Sequence, residues 1–456
     1  MITIFKILIL VLAAKSALFW IYILQVKEYR LDRFLAEYGS LKTIVKFWIF
    51  GGGRKLYVPV WTVKTILVLL ISSFPLILFS FPAVYNSLSV PVYILLYFLP
   101  PLSVIATVFI LSLPIYVVRQ HLYRSAEKRV CRVKGLIAIG ITGSYGKSST
   151  KEFLSQLLSK KFKVAKTPDN INTEIGISRF ILKNLKPDDE ILIAEMGAYR
   201  SGEIKKMCEI VRPKIGILTG ISEQHLALFG SREALKNAKY ELMDSLPHDG
   251  LAVFNGENPH CLELAHKWKG NKILYRNAYN PRPDLPAHYG LNIRGAIEVA
   301  KYLGMTEGEI AEAVGKIRLG ERMIKSFVGR NGACIIDDTY SANPDGAFAA
   351  LDYLSRQSQK NKIVIMPCLI ELGNAARDIH KKIGELLYKN CNFGIITTPA
   401  YFQAIKDAAG GKAILETNPE KVVELLDTKA NSETAILLEG RLPEIIIKYL
   451  LPLLLR

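Results

Sequence analysis

The chain has 456 residues, with 59 Lys plus Arg against 41 Asp plus Glu, a net charge of +18 and half of its residues hydrophobic. That length suits two to four domains and a sizeable core. So apolar a chain is neither a disordered basic protein nor a typical basic nucleic-acid binder, and high charge with a mean hydropathy of +0.21 points to a membrane protein with basic loops.

The charge is unevenly placed. Residues 1–134 hold 16 Lys/Arg and 4 Asp/Glu, a net of +12, which leaves +6 for residues 135–456. The same segment carries three apolar runs, about residues 2–25, 57–84 and 88–118. Each is long enough, as a helix, for a hydrocarbon core of about 30 Å. Lys27, Arg30, Arg33, Lys42, Lys46, Arg54 and Lys55 lie between the first two runs, and Arg119, Arg124, Lys128, Arg129, Arg132 and Lys134 follow the third. The positive-inside tendency puts both basic stretches in the cytoplasm, which three crossings satisfy with the N-terminus outside. A fourth crossing, made by splitting the third run at Pro100-Pro101, would strand the basic 26–56 segment outside. Residues 1–125 are therefore expected to form a multi-pass anchor in the cytoplasmic (inner) membrane, in contact with membrane lipids. Lys15 interrupts the first run and argues against a cleaved signal peptide. Charge flanking apolar spans is explained by topology, so no nucleic-acid partner is inferred. Cysteines 131, 208, 261, 334, 368 and 391 form no CxxC pair, which suits a reducing compartment.

From residue 133 the texture becomes α/β. Ile137–Ile141 reads as a short buried strand, Thr142–Thr150 as a loop, and an amphipathic helix should follow to about residue 160. Apolar runs at 191–195, 215–219, 251–254, 334–337, 363–366, 393–397 and 435–438 read as further strands with helical patterns between them. Such alternation implies parallel sheets with crossover helices. The alternation restarts near Gly320, dividing residues 133–319 from 320–456. The fold class is thus an N-terminal helical transmembrane region, then a phosphate-loop α/β domain, then a Rossmann-like α/β domain.

Gly143-Ser144-Tyr145-Gly146-Lys147-Ser148 is the strongest chemical signal. Its glycines would let backbone N–H groups cradle phosphates, while the helix that follows points its positive end at the anion. Lys147 would reach the β- and γ-phosphates and Ser148 would bind Mg²⁺, although Ile141 stands where the longer phosphate-loop spacing has its first Gly.

Thr142-Gly-Ser-Tyr-Gly-Lys-Ser148 after such a strand resembles the Mur ligases, ATP-dependent enzymes that add amino acids or peptides to peptidoglycan precursors. The resemblance continues in order through Asn170–Gly176, Ala194–Ala198, Gly202–Ile204, His225 with Phe229–Ser231, Ala238–Glu241, Asp337–Asp345 and Glu371–Gly373. It covers residues 136–456 and is nearest the D-alanyl-D-alanine-adding branch. It implies an ATP site at Gly143, Ser144, Gly146, Lys147, Ser148 and Ser149, and two Mg²⁺ ions held by Ser148, Glu195, His225 and Lys239, the last carbamylated. Lys147, Glu195, His225 and Lys239 become the catalytic set. Asn292 is matched to an adenine contact, Arg322 to an ATP contact from the domain boundary, and Asp338 to the ribose, with Tyr340 and Asn343 beside it. The Asn343-Pro344-Asp345 run also suits a plain β-turn. His380 recurs in the pattern without a role.

Four departures bear on the substrate and the nucleotide. The apolar anchor stands in place of the small domain that holds the UDP end of the substrate. Residues 256–287 are short. Tyr289 and the inserted Glu321 alter two nucleotide motifs. Leu438-Glu439-Gly440-Arg441 replaces a Lys-Gly-Ser pattern. The expected function is a membrane-anchored ligase acting on a UDP- or lipid-linked cell-wall precursor with an amino acid or dipeptide. The alternatives are the same chemistry outside peptidoglycan, or a non-catalytic nucleotide-binding scaffold.

Overall fold

The computed structural model describes residues 2–27, 29, 34, 41–50, 56–78, 89, 91–92, 97–222, 229, 231–276, 281–282, 285–320, 323–340, 343–370, 372 and 375–450. It divides into two units, Met1–His121 and Leu122–Arg456.

The first unit is helical, with helices Ile2–Val26, Leu41–Phe50 and Val63–Leu78 and the first part of Leu99–Arg132. Its small core gathers Phe19, Trp20, Ile21, Leu24, Val68, Val104 and Val108. Gln25 locks the chain before the third helix, its amide donating to the Val60 carbonyl at 2.7 Å and accepting the Val60 N–H at 2.7 Å. Much of the outer surface is apolar: Val63, Leu70, Phe74, Phe109, Ile110 and Val117 are all exposed. Ile4–Val26 and Leu99–Arg132 are long and apolar enough to cross a membrane, whereas Val63–Phe74 is shorter. Parts of the expected 57–84 and 88–118 runs (79–84, 88, 90 and 93–96) fall outside the described residues. Within the third run Pro91, Val92 and Tyr97 are also helical, and the long helix starts at Leu99, with Pro100 and Pro101 in its first turn, where a missing N–H costs nothing. That helix continues through the basic stretch to Arg132.

The second unit holds two six-stranded sheets. The first runs β2-β3-β1-β4-β5-β6, all parallel: β1 Ile137–Thr142, β2 Val164–Lys166, β3 Ile191–Glu195, β4 Ile215–Leu218, β5 Leu251–Asn255 and β6 Asn271–Tyr275. β1, β3, β4 and β5 are apolar along nearly their whole length because helices cover both faces. The chain leaves β1 toward β2 and β3 on one side and toward β4 on the other. The carboxyl end of β1 is therefore a topological switch point, the place where open α/β sheets bind ligands.

The second sheet runs β11-β10-β9-β12-β8-β7: β7 Lys325–Val328, β8 Cys334–Asp338, β9 Asn361–Met366, β10 Phe393–Ile396, β11 Ala413–Leu415 and β12 Thr434–Glu439. This corrects the expected Rossmann-like domain. β12 returns last to fill the gap between β8 and β9, so the order is not the 3-2-1-4-5-6 of that fold. β7 is antiparallel to β8 because a tight turn around Arg330–Gly332, too short for a crossover helix, joins them.

Helix Ala376–Asn390 packs closely on Phe402–Ala408 at Gly384, where an added Cβ would lie 2.4 Å from the Ile405 carbonyl oxygen and 2.8 Å from the Ala408 Cβ. Alanine is the better helix former by about 1 kcal/mol, but overpacking against backbone costs about 1–3 kcal/mol. Gly384→Ala should therefore lower the thermal midpoint of the second unit; a raised midpoint would show that the two helices can separate at no cost.

Candidate active site

Thr142 ends β1, and the loop Gly143–Gly146 turns into helix Lys147–Leu158, with Gly146 at its N-cap in a left-handed conformation (φ 76°). The loop is pinned against the end of β4. Ser144 N–H donates to the Gly220 carbonyl at 2.7 Å, Thr219 N–H donates to the Thr142 carbonyl at 3.0 Å, and the Thr219 hydroxyl donates to the Tyr145 carbonyl. A Cβ on Gly143 would meet Thr219 Oγ1 at 2.2 Å, and one on Gly220 would meet the Tyr145 ring at 2.3 Å. These glycines are required by close approach of backbone to backbone and ring. Lys147 curls back, its ammonium donating to the Gly143 carbonyl at 2.7 Å and the Ser144 carbonyl at 3.2 Å. Burial lowers its pKa, partly opposed by the charge of Glu195. Ser148 is exposed in the first helical turn, and Ser149 is buried.

Glu195 ends β3, opposite Ile141 in register, and is 2% exposed. Its N–H donates to Thr167 Oγ1 at 3.1 Å. Its carboxylate accepts from Asn172 Nδ2 at 3.3 Å and from Lys151 Nζ at 3.2 Å. Lys151 also reaches Asp169 at 3.2 Å and is completely buried. Sequence reasoning passed over Lys151, which looks there like one more helix lysine. Its signal is its place one turn beyond Lys147 on the same helix face, which carries it past the phosphate loop to the end of β3.

Lys239, on helix Arg232–Asp244, is 2% exposed, and no ion pair reaches it among the described residues. Burial first, then the nearby Lys147 charge, lowers its pKa to about 7, so near neutral pH much of this amine is uncharged. The acidic residues of two matched motifs serve the backbone. Glu241 accepts N–H bonds from Gly202 at 2.6 Å and Lys205 at 3.0 Å, and Glu203 accepts from Tyr199 at 2.8 Å.

Asn292 donates from Nδ2 to Ser149 Oγ at 2.9 Å and covers Gly146, whose added Cβ would meet Asn292 Oδ1 at 2.9 Å. The structure thus places Asn292 against the back of the phosphate loop. Asn343 caps helix Pro344–Ser355 by accepting the Gly346 N–H at 2.9 Å. The adjacent Asp345 lies within electrostatic reach of Tyr145, whose hydroxyl burial already pushes far up. Tyr340 donates its hydroxyl proton to Asn170, an asparagine with φ 64°, joining the loops of the two sheets. Asp338 ends β8 and is 6% exposed. His380 is fully buried: its Nε2 accepts the Leu369 N–H at 2.9 Å and its ring stacks on Tyr401, a structural role. His225 and Arg322 lie outside the described residues. Among the described residues, no three His, Cys, Asp or Glu side chains cluster as a metal site.

The structure therefore gathers the phosphate loop, Glu195, Lys239 and Asn292 about the switch point of the first sheet. Two family models match the chain, the Mur ligase middle domain over residues 141–284 and the Mur ligase glutamate ligase domain over residues 322–442. Together they span more than half of it. The chain belongs to the Mur ligase family. Among curated Mur ligases it is 29% identical over 265 residues to the UDP-N-acetylmuramoyl-tripeptide–D-alanyl-D-alanine ligase of Synechocystis, covering 54% of this chain and 58% of that one. It is 26% identical over 277 residues to the enzyme of the same name from Bacillus subtilis, covering 56% and 60%. The chain thus spans under two thirds of the length of these relatives. The Thermotoga maritima MurF ligase, solved in complex with ADP, superposes with a TM-score of 0.64 at 25% identity over 73% of this chain and 83% of that one.

Removing one partner of a buried ion pair costs about 3–5 kcal/mol. Lys151→Met should therefore lower stability by that order in urea unfolding, and adding Glu195→Gln should recover most of the loss. An unchanged midpoint in the single variant would show that Glu195 does not depend on Lys151.

Proposed function

We propose that the chain is an ATP-dependent amide ligase of cell-wall precursor synthesis, anchored in a membrane by residues before 122. The observation that carries this reading is the phosphate loop seated at the switch point beside a buried carboxylate, in a chain with both Mur ligase domains. The relatives' names suggest the substrates, a UDP-linked muramoyl tripeptide and the dipeptide D-alanyl-D-alanine.

In the first step the precursor carboxylate oxygen attacks the γ-phosphorus, and the bond to the bridging oxygen breaks to release ADP. In the second the amine nitrogen attacks the acyl-phosphate carbon, the tetrahedral intermediate collapses, phosphate leaves and the amine proton passes to a base. Negative charge builds up in both steps, so cations and backbone N–H groups carry the catalysis. Lys147 exchanges the Gly143 and Ser144 carbonyls for the β- and γ-phosphates, and the N-terminal turn of helix Lys147–Leu158 faces the same anion. Asn292 holds the loop by its bond to Ser149. Asp338 is the ribose contact.

Mg²⁺ takes oxygen ligands from one or two carboxylates and from the phosphates themselves. The Glu195 carboxylate and the Ser148 hydroxyl suit that donor set and would hold it, with His225 and Lys239 for a second ion. When bound it supplies Lewis-acid stabilisation of the transferring phosphoryl group. The partly neutral Lys239 amine is the form that adds CO₂ to become a carbamate anion.

A lipid-linked acceptor is the second reading, favoured by the apolar exposed helices that precede the first family match at residue 141. With purified full-length protein in detergent, ATP, Mg²⁺ and D-alanyl-D-alanine, phosphate release should require an acceptor and should vanish in Lys147→Ala. Release with the UDP-linked tripeptide supports the first reading, and release only with the lipid-linked precursor the second. Release with neither, or turnover persisting in Lys147→Ala, overturns the ligase assignment. Supplying ¹³C-bicarbonate should give a carbamate resonance that Lys239→Ala lacks; its absence from the wild type would remove the carbamate from this reading. After membrane fractionation the chain should resist extraction by high salt and alkali, and recovery in the soluble fraction would remove the anchor.

A further inference from the structure

β8 and β12 are neighbours, and their register sets Asp338 beside Glu439 at the carboxyl ends of both strands. This edge of an α/β sheet is where ligands bind. Glu439 is fully buried, and neither of its carboxylate oxygens receives a hydrogen bond from any donor group among the described residues. No Lys, Arg or His pairs with it there either. Two buried carboxyls side by side, with no cation at the inner one, do not both ionise. Burial, followed by the charge of Asp338 and a hydrogen bond to it, accordingly holds Glu439 far above the usual carboxylate range. The pair also acts on Tyr289: burial and then the Asp338 charge push its hydroxyl up, with a smaller contribution from Glu439. The Tyr289 oxygen accepts the Ile324 N–H at 2.9 Å, and its ring packs edge-on against Phe153 of the helix after the phosphate loop. The carboxyl pair thus sits where the nucleotide-side helix, the linker before β7 and the second sheet meet.

We propose that Glu439 is a positioning residue: it carries a proton, donates it to an Asp338 oxygen, and so fixes the orientation in which the Asp338 carboxylate meets the ribose hydroxyls of the nucleotide. The inference rests on the ATP reading above and assigns to Glu439 a role that its acidic character alone hides. An ionised Glu439 would repel Asp338; a protonated one orients it, because a carboxyl O–H to carboxylate bond is short and strong.

The test uses the full-length protein with Glu439→Gln, which keeps a donor to Asp338, and Glu439→Leu, which has none. Infrared difference spectra of wild type against Glu439→Gln at neutral pH should contain the C=O stretch of a protonated carboxyl. The KM for ATP in Glu439→Gln should stay within about twofold of wild type. A lost hydrogen bond to a charged group corresponds to about 10–100-fold, so Glu439→Leu should raise that KM by this much with kcat changed far less. Three results would overturn the proposal: no protonated-carboxyl band, Glu439→Gln as impaired as Glu439→Leu, or Glu439→Leu matching the wild type. Should Glu439→Leu fail to fold, the band and the Glu439→Gln KM still decide. Failure of the ATP reading itself would look different, since wild-type protein would then bind no ATP in direct titration while the band remained.

Discussion

Everything at this site depends on how closely the loop after β1 lies against the end of β4. A polyphosphate is held by backbone N–H groups only if no side chain stands between them, and the loop has to be rigid before the anion arrives. Gly143 and Gly220 meet that demand by leaving no room: a single Cβ at either would collide with Thr219 or with the Tyr145 ring. Thr219 ties the contact together with its N–H and hydroxyl, and Asn255 continues it by donating to the Thr219 carbonyl at 2.7 Å. The loop is thereby part of the sheet edge rather than an appendage to it.

The electrostatics follow from that geometry. Lys147 and Lys239 carry charge beside the loop, and Glu195, the buried carboxylate near Lys147, is paired with Lys151. One lysine is neutralised by an ion pair, one lies curled on backbone carbonyls, and one has a lowered proton affinity because it is buried near another cation. A cation held on backbone carbonyls with no anion in contact, as Lys147 is, is costly in the resting protein. That charge becomes favourable when a polyphosphate enters, which suits a site built for charge that gathers during reaction. At the second sheet the imbalance is reversed: Asp338 and Glu439 are two acids without a cation at Glu439, and a proton takes its place.

The sequence revealed the interior of both sheets and missed their rims. The eight apolar runs read as strands are β1, β3, β4 and β5 of one sheet and β8, β9, β10 and β12 of the other. β2, β6, β7 and β11 escaped, and each is an edge strand. An interior strand is covered on both faces and paired on both sides, so its whole length is apolar. An edge strand such as Asn271–Tyr275 or Lys325–Val328 is half exposed, and its mixed side chains look like loop. The antiparallel β7 and the insertion of β12 between β8 and β9 were hidden for a related reason. Periodicity reports which face is buried, not which neighbour buries it.

The sequence by itself determined the apolar N-terminal segment, the α/β alternation, the phosphate loop, and the family resemblance that names Glu195 and Lys239, because each is written in local spacing. Only the tertiary structure decided that Lys151 belongs to Glu195, that Asn292 braces the loop, that Glu203, Glu241 and His380 serve the backbone, and that Glu439 faces Asp338. These are contacts between residues as much as 143 apart in the chain. Their meaning comes from burial and from charge at close range, which no local pattern encodes.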